Sequence, residues 1–154
     1  MLEQLAKHGN FDLSVHSIGD LEIDEHHTIE DVSIALGEAF KNAIGKRENI
    51  ERYASSENLV MDETISNVSI DMASRPFLKM KTSKLREYVG DFPTEMFEHF
   101  FISFINTLGF TCHIETKGTN SHHIIEATFK SFTRALSNAL KKNDSAVAST
   151  KGTL

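Results

Sequence analysis

Apolar residues recur at helical spacing in two stretches of the chain. In both stretches they fall three or four positions apart, which is typical of the buried face of a helix. The first stretch has them at Ile29, Val32, Leu36, Phe40 and Ala43. The second has them at Ile125, Phe129, Phe132, Leu136 and Ala139. Two more helices are predicted, one from Met1 to His8 before Gly9 and a phenylalanine-rich one from about Thr94 to Leu108 before Gly109.

Alternation of apolar and polar residues predicts strands ahead of both helical stretches. In the first half, strands are expected over residues 11–15 and 21–23. In the second half, one is expected over residues 110–114, and extended character over residues 59–92 indicates about three more. Helices and strands in this order predict an α+β fold.

Each helical stretch opens with the same short motif. It reads H-H-T-I-E at 26–30 and H-H-I-I-E at 122–126, so that 26 corresponds to 122 and 30 to 126. Together with the matching flanks, this indicates an internal duplication. We therefore predict one domain over 1–154, with 1–45 as the C-terminal part of a first repeat and 46–154 as a second repeat plus a tail. By analogy with the second half, the first repeat is expected to be incomplete and to lack roughly 40 N-terminal residues.

Composition narrows the class of protein. The chain has 154 residues, 40% hydrophobic and 25% charged, as expected for one globular domain. A net charge of -6 with scattered basic residues argues against a nucleic-acid partner. A single cysteine, Cys112, cannot form an internal disulfide, and no apolar run or leader-like N-terminus indicates a membrane. These features favour a soluble, cytoplasmic protein.

The histidine pairs indicate metal chemistry. His26 and His27 lie four and three residues before Glu30, so either can share a helix face with it. Neighbouring helical side chains diverge by about 100°, so two adjacent histidines favour two ions, or one ion and one ligand. Imidazole and carboxylate donors suit Mn²⁺, Fe²⁺, Co²⁺, Ni²⁺ and Zn²⁺ better than Ca²⁺ or Mg²⁺.

A single histidine pair on a surface would be weak evidence for a metal site. Two copies of the motif, with the same spacing between every pair of matching residues, favour metal binding. His99, on the predicted helix before Gly109, could reach the same site. His113, within a predicted strand, is interpreted as structural.

Several longer runs resemble a known family. They are L-E-I-D-E-H-H-T-I-E-D-V-S-I-A-L-G-E-A-F at 21–40, N-S-H-H-I-I-E-A-T-F-K at 120–130 and S-T-K-G-T-L at 149–154. Together they resemble the imidazoleglycerol-phosphate dehydratases of histidine biosynthesis. The resemblance implies two pseudo-equivalent β3αβα repeats of the ribosomal protein S5 domain 2-like type, with the first repeat incomplete. It also implies a homo-oligomeric shell of 24 subunits, with two Mn²⁺ ions per active site and sites at subunit interfaces.

The resemblance further assigns site residues by motif. The implied metal ligands are His26, His27, Glu30, His99, His122, His123 and Glu126. The implied substrate-binding residues, which include those that hold its phosphate, are Gln4, His8, Arg52, Arg75, Ser149 and Lys151. The implied reaction is a metal-dependent dehydration of imidazoleglycerol phosphate to imidazoleacetol phosphate, through an imidazolate held by two metal ions. Glu30 and Glu126 are the candidates for general base and acid.

Two other functions stay open at this point. A different two-metal enzyme on the same scaffold, such as a phosphate-ester hydrolase, would use the same ligands. The chain could also be an inactive or partly active metal-binding assembly subunit, because its N-terminal segment is expected to be missing. Loss of the family's glycine at Ala54 and at Ser74, next to Arg52 and Arg75, motivates the same alternative.

Overall fold

A computed structural model describes residues 1–143 and 149 of the chain. The helices are α1 (Leu2–Gly9), α2 (His26–Ile44), α3 (Glu95–Leu108) and α4 (Ser121–Ala139). The strands are β1 (Tyr53–Met61), β2 (Thr64–Asp71), β3 (Phe77–Thr82), β4 (Tyr88–Val89), β5 (Phe92–Pro93) and β6 (Thr111–Lys117). The α+β prediction is confirmed. Residues 59–92 contain strands as expected, but more than the predicted three, because β2, β3 and β4 lie within that range, β1 ends in it and β5 begins in it.

The main sheet has four strands in the order β1-β2-β6-β3. β1 and β2 form an antiparallel hairpin, and β2 pairs antiparallel with β6 so that Val68 lies opposite Ile114. β3 pairs parallel with β6 because α3 carries the chain back between them. Val68 and Ile114 point to the same covered face, which places the core on one side of the sheet.

The core is built from phenylalanines of α3 and α4 on that face. Phe101 and Phe132 are fully buried, and their ring centroids lie 4.9 Å apart with the planes at 68°, an edge-to-face contact. α2 joins through Phe40, whose ring lies 5.5 Å from that of the buried Phe104. The apolar spacing of the sequence therefore marks the packed faces of these helices correctly, except at Ala43, which is exposed.

The strands predicted over residues 11–15 and 21–23 are not formed. Residues 11–20 have no regular secondary structure, residues 21–23 form a turn, and the ring of Phe11 lies 5.0 Å from that of Phe40. Side chains from Leu13 to Ile18 run along the outer side of α2 and line a groove with it. A strand needs a neighbouring strand for its ladder of hydrogen bonds, and this segment pairs with none of the described strands.

Gly9 has a different role from the one predicted. It is the last residue of α1, and Asn10 takes the left-handed conformation after it, with φ 55°. A Cβ on Gly9 would lie 2.4 Å from the Phe11 ring and 2.6 Å from Thr133, so this position needs glycine for close packing. Gly109 does follow α3 in a left-handed conformation, as predicted. In the described part of the chain, no helix is long and apolar enough to cross a bilayer.

Candidate metal centre

The first motif forms a three-residue cluster with α3. His26 opens α2, so Glu30 lies one turn further along, and His26 Nε2 is 3.9 Å from Glu30 Oε2. His99 comes from the first turns of α3, with its Nε2 3.5 Å from Glu30 Oε1. One ligand atom from each residue lies within 4.8 Å of the other two. This is the one such group in the described part of the chain.

The close packing of α2 and α3 brings His99 to this cluster. A Cβ at Gly37 would lie 2.8 Å from Thr107 Cβ and 3.0 Å from the Phe104 carbonyl oxygen, so glycine allows the helices to approach. Glu30 meets His99 near the start of both helices, and Gly37 meets Thr107 further along both. The two helices therefore run in the same direction, and their N-terminal turns lie side by side.

The cluster fits a transition-metal ion. His99 Nε2 is buried and has no hydrogen-bond partner, although it faces the Glu30 carboxylate. A buried polar atom left without a partner is costly, and a metal ion would satisfy it. Two imidazoles and one carboxylate are a donor set suited to Mn²⁺, Fe²⁺, Co²⁺, Ni²⁺ or Zn²⁺.

The second motif is arranged differently from the first. His122 Nε2 lies 3.0 Å from Glu126 Oε2, while Glu126 Oε1 lies 2.8 Å from Lys130 Nζ. Lys130 holds the pKa of the Glu126 carboxyl below its ordinary value, and His122 adds to this effect. Within the described residues, no third ligand atom closes a metal-binding group around His122 and Glu126.

Adjacent histidines diverge in both motifs. The ring centroids of His26 and His27 lie 6.3 Å apart, with the planes at 82°. The rings of His122 and His123 have the same separation of 6.3 Å, with the planes at 79°. The two members of each pair therefore point in different directions, as the helical geometry predicts.

Local capping fixes the start of each motif helix. Asn120 precedes α4 and its side-chain oxygen accepts hydrogen bonds from the backbone amides of His122 and His123, at 2.9 and 3.3 Å. At α2 the bond is a single one, because Asp24, the residue before the N-cap Glu25, accepts from the His26 amide at 2.9 Å. These caps satisfy backbone amides that have no partner inside the helix.

The second histidine of each pair hydrogen-bonds a carboxylate. His27 Nδ1 lies 2.8 Å from Asp20 Oδ2, and His123 Nδ1 lies 2.8 Å from Glu63 Oε2. The hydrogen bond raises the pKa of each imidazole. The bond from His123, together with the amide of Asn120, holds the pKa of the Glu63 carboxyl well below its ordinary value. Asp62 lies on the other side of His123, with Oδ2 3.9 Å from Nε2.

The two predicted arginines meet on one carboxylate. Arg52, with φ 66°, is buried and donates through Nε and Nη2 to the Asp71 carboxylate, at 2.8 and 3.3 Å. Arg75 is 76% exposed and its Nη2 lies 3.9 Å from Asp71 Oδ2. Arg52 also stacks over the Tyr53 ring at 4.4 Å. Arg75 is thus the more accessible of the two guanidinium groups for an anionic ligand.

The remaining predicted ligand-binding residues fall in three places. Gln4 and His8 lie on α1, which packs against α4. Burial lowers the pKa of His8, and the nearby Lys130 and Arg134 lower it further. Ser149 is partly buried. Lys151 lies outside the described residues.

A mainly apolar cavity of about 560 Å³ separates the two motif helices. Thr28 and Ile29 of α2 line one part of it, and His122 and Phe129 of α4 line another. His122 is the predicted ligand that faces this space. No metal-binding group in the described residues combines ligands from both motifs.

Three residues around the candidate site, Lys130, Asp20 and Glu63, were not predicted as members of it. Glu126 and Lys130 are four apart on one helix, a spacing that favours an ion pair and was available in the sequence. Asp20 lies seven residues before its partner His27. Glu63 lies 60 residues before His123, and no local pattern connects them.

A family model for imidazoleglycerol-phosphate dehydratase matches residues 1–136. The chain belongs to this family. The resemblance drawn from the motifs is thereby confirmed, and the fold agrees with it. The Staphylococcus aureus N315 imidazoleglycerol-phosphate dehydratase superimposes with a TM-score of 0.85 at 36% identity, over 92% of this chain and 80% of that one. The Pyrococcus furiosus enzyme in complex with (S)-C348 gives 0.86 at 31% identity, over 99% and 83%.

Curated relatives are longer proteins. The histidine biosynthesis bifunctional protein HisB of Legionella pneumophila strain Philadelphia 1 is 50% identical over 154 residues, which is 100% of this chain and 43% of the relative. HisB of Stenotrophomonas maltophilia strain K279a is 46% identical over the same share of each. The chain therefore spans about two fifths of the length of the curated relatives that it matches.

Proposed function

We propose that this chain catalyses the dehydration of imidazoleglycerol phosphate to imidazoleacetol phosphate in histidine biosynthesis. The observation that carries the proposal is the cluster of His26, Glu30 and His99, in which a buried imidazole nitrogen has no partner, in a member of this family. A cluster of this kind suits a resident metal ion, and the reaction needs an electrophile because no carbonyl in the substrate acidifies the C–H bond.

Two Mn²⁺ ions are the proposed cofactors. Their proposed ligands are His26, His27, Glu30, His99, His122, His123 and Glu126. When bound, the ions would act as Lewis acids toward the two ring nitrogens of the substrate. The residues of this chain orient the ring, move protons and hold the phosphate.

Glu126 and Glu30 are the proposed proton carriers. Lys130 lowers the pKa of Glu126 and so favours its ionised form, which is the form able to accept a proton from carbon, although the same shift makes it a weaker base. The proton that Glu126 removes leaves with the hydroxyl group as water, which gives an enol. Glu30, which faces the imidazoles of His26 and His99, then moves the enol O–H proton to carbon to give the ketone. The two roles are assigned by these local partners.

The phosphate is proposed to bind where charged donors are exposed. Arg75 presents an accessible guanidinium group, and Arg52, tied to Asp71, fixes the carboxylate that Arg75 approaches. The other proposed substrate-binding residues are Gln4, His8, Ser149 and Lys151.

The second motif supports sites shared between copies of the chain. His122 and Glu126 lack a third ligand within the described residues, so an ion there needs donors from elsewhere. We propose that these come from a neighbouring copy in a homo-oligomer, up to a 24-subunit shell. The shared motif, H-H-T-I-E at 26–30 and H-H-I-I-E at 122–126, supports an origin of both helices from one duplication of a β3αβα unit.

Product analysis with a matched pair of variants tests the proposal. The purified chain is supplied with Mn²⁺ and imidazoleglycerol phosphate, and both imidazoleacetol phosphate and inorganic phosphate are quantified. We expect dehydration without phosphate release. His99→Ala should reduce metal content and lower turnover by more than the roughly 10- to 100-fold that loss of an outer-sphere partner costs. His113→Ala, exposed on the sheet, should change neither.

Two outcomes would contradict the proposal in different ways. Release of inorganic phosphate would favour the phosphate-ester hydrolase. Full Mn²⁺ binding with neither product would favour the metal-binding assembly subunit.

A further inference from the structure

A carboxylate holds the Nδ1 atom of the second histidine in both motifs. The Asp20 carboxylate lies 2.8 Å from His27 Nδ1, and the Glu63 carboxylate lies 2.8 Å from His123 Nδ1. The two carboxylates come from different parts of the fold. Asp20 belongs to the segment before α2, whereas Glu63 belongs to the turn between β1 and β2. The same carboxylate–imidazole contact is thus made twice, by residues from unrelated parts of the fold.

A carboxylate in this position determines where the imidazole proton sits. An ionised carboxylate only accepts hydrogen bonds, so a neutral histidine beside it must carry its proton on Nδ1. Nε2 then keeps its lone pair and points away from the carboxylate, which is the state that binds a metal ion.

Glu63 is anchored far more firmly than a surface side chain. Its Oε1 accepts from the backbone amides of Thr119 and Asn120, at 3.2 and 2.8 Å, and from the Thr64 hydroxyl at 2.9 Å. Its Oε2 is left to face His123. One oxygen therefore fixes the carboxylate to the start of α4, and the other is aimed at the imidazole.

We infer that Glu63 and Asp20 are positioning residues that hold His123 and His27 as Nδ1–H tautomers, with the Nε2 lone pair available to a metal ion. Asp62 Oδ2 lies 3.9 Å from His123 Nε2, beyond hydrogen-bond distance. The inference rests on the proposed function, because it takes both histidines as metal ligands. It adds two residues that are not proposed as ligands and that act through the imidazoles.

Glu63→Gln separates this role from simple helix capping. The amide oxygen of the new side chain can still accept from the amides of Thr119 and Asn120. Its NH₂ group would then face His123 Nδ1, which must become an acceptor, so the proton moves to Nε2. The substitution keeps the cap and inverts the tautomer.

The experiment compares Glu63→Gln with Glu57→Gln, which changes an exposed carboxylate on β1. Imidazole ¹⁵N shifts of the metal-free chain report the His123 tautomer, and the EPR signal of free Mn²⁺ reports affinity. We expect Glu63→Gln to convert His123 to the Nε2–H form and to weaken Mn²⁺ binding about 10- to 100-fold. Glu57→Gln should do neither.

An unchanged tautomer in Glu63→Gln would overturn the inference, as would a changed tautomer with unchanged Mn²⁺ affinity. A wild-type chain that binds no Mn²⁺ would instead contradict the proposed function, while the tautomer measurement would still decide the role of Glu63.

Asp20→Ala gives a second test that does not depend on the β1–β2 turn. Asp20 is 39% exposed, so water can take its place, and we expect a loss of Mn²⁺ affinity of only about tenfold, at the lower end of the range for such partners. The His27 tautomer should become mixed. Asp12→Ala, an exposed change in the same segment, is the control. Equal behaviour of Asp20→Ala and Asp12→Ala would overturn the inference for His27.

Discussion

Arg47 connects three parts of the fold through one side chain. Its guanidinium group donates to the carbonyl oxygens of Met72 and Gly109, at 2.8 and 2.5 Å, and to that of Leu108. Two of these carbonyls belong to the C-terminal end of α3, where a cation is favourable, and the third follows β2. Burial lowers the pKa of Arg47 because it removes water from the guanidinium group, and the three carbonyl oxygens replace that water as hydrogen-bond acceptors.

Removing the guanidinium group of Arg47 should lower the stability of the fold. We expect Arg47→Met to lower the free energy of unfolding by about 2–4 kcal/mol, because it leaves partly buried carbonyls without a donor. Lys46→Met, the exposed neighbour, should change it by no more than about 0.5 kcal/mol. Urea denaturation measures both. Equal losses in the two variants would contradict the role of Arg47.

Side chains of the candidate site differ in how far the sequence could predict them. The histidine pairs and their glutamates were predictable because all their spacings lie within one helix turn. His99 could be proposed only as a possible member, since its approach to Glu30 depends on the packing of α2 on α3. Glu63 could not be predicted from spacing, because 60 residues and a strand pairing separate it from His123.

At the scale of elements, the start of α4 is the helix end in the candidate site that is held by the most side-chain capping hydrogen bonds. Asn120 accepts from two backbone amides, and those amides belong to the two proposed ligands His122 and His123. Loss of the cap should therefore free the first turn and the imidazoles together.

We expect Asn120→Ala to cost about 1 kcal/mol in the free energy of unfolding. Amide hydrogen exchange at His122 and His123 should also become faster, because the first turn opens more often. Asn106→Ala, at an exposed interior position of α3, should leave stability equal or slightly higher, since alanine favours helix. Unchanged exchange at both histidines in Asn120→Ala would contradict this account.

Helices were easier to predict than strands for a physical reason. The hydrogen bonds of α2 and α4 are made within each segment, so their apolar spacing was sufficient. Strands before α3 were also predicted from their extended sequence pattern, and the structure gives them partners, since β1 pairs with β2 and β3 pairs with β6. The expectation for residues 11–15 was wrong because alternation describes one segment, whereas a strand also needs a partner.

At the scale of the whole molecule, the two motifs present unequal sets of ligands. The cluster around Glu30 has three donors in one chain, whereas His122 and Glu126 have no third donor among the described residues. If a second copy completes that site, metal binding and assembly are linked, because an ion that binds only the assembled state stabilises it by mass action.

This linkage predicts that assembly depends on a transition metal. With Mn²⁺ at about 100 times its dissociation constant, each shared ion contributes about 2.7 kcal/mol to the assembled state. We therefore expect light scattering after size exclusion to show a larger species with Mn²⁺ and a smaller one after chelation. Re-adding Mn²⁺ should restore the larger species, whereas Mg²⁺ should not, because imidazole donors suit it poorly. A mass that stays constant through chelation would show that the contacts between copies do not depend on the ions, and sharing of the second site would then be wrong.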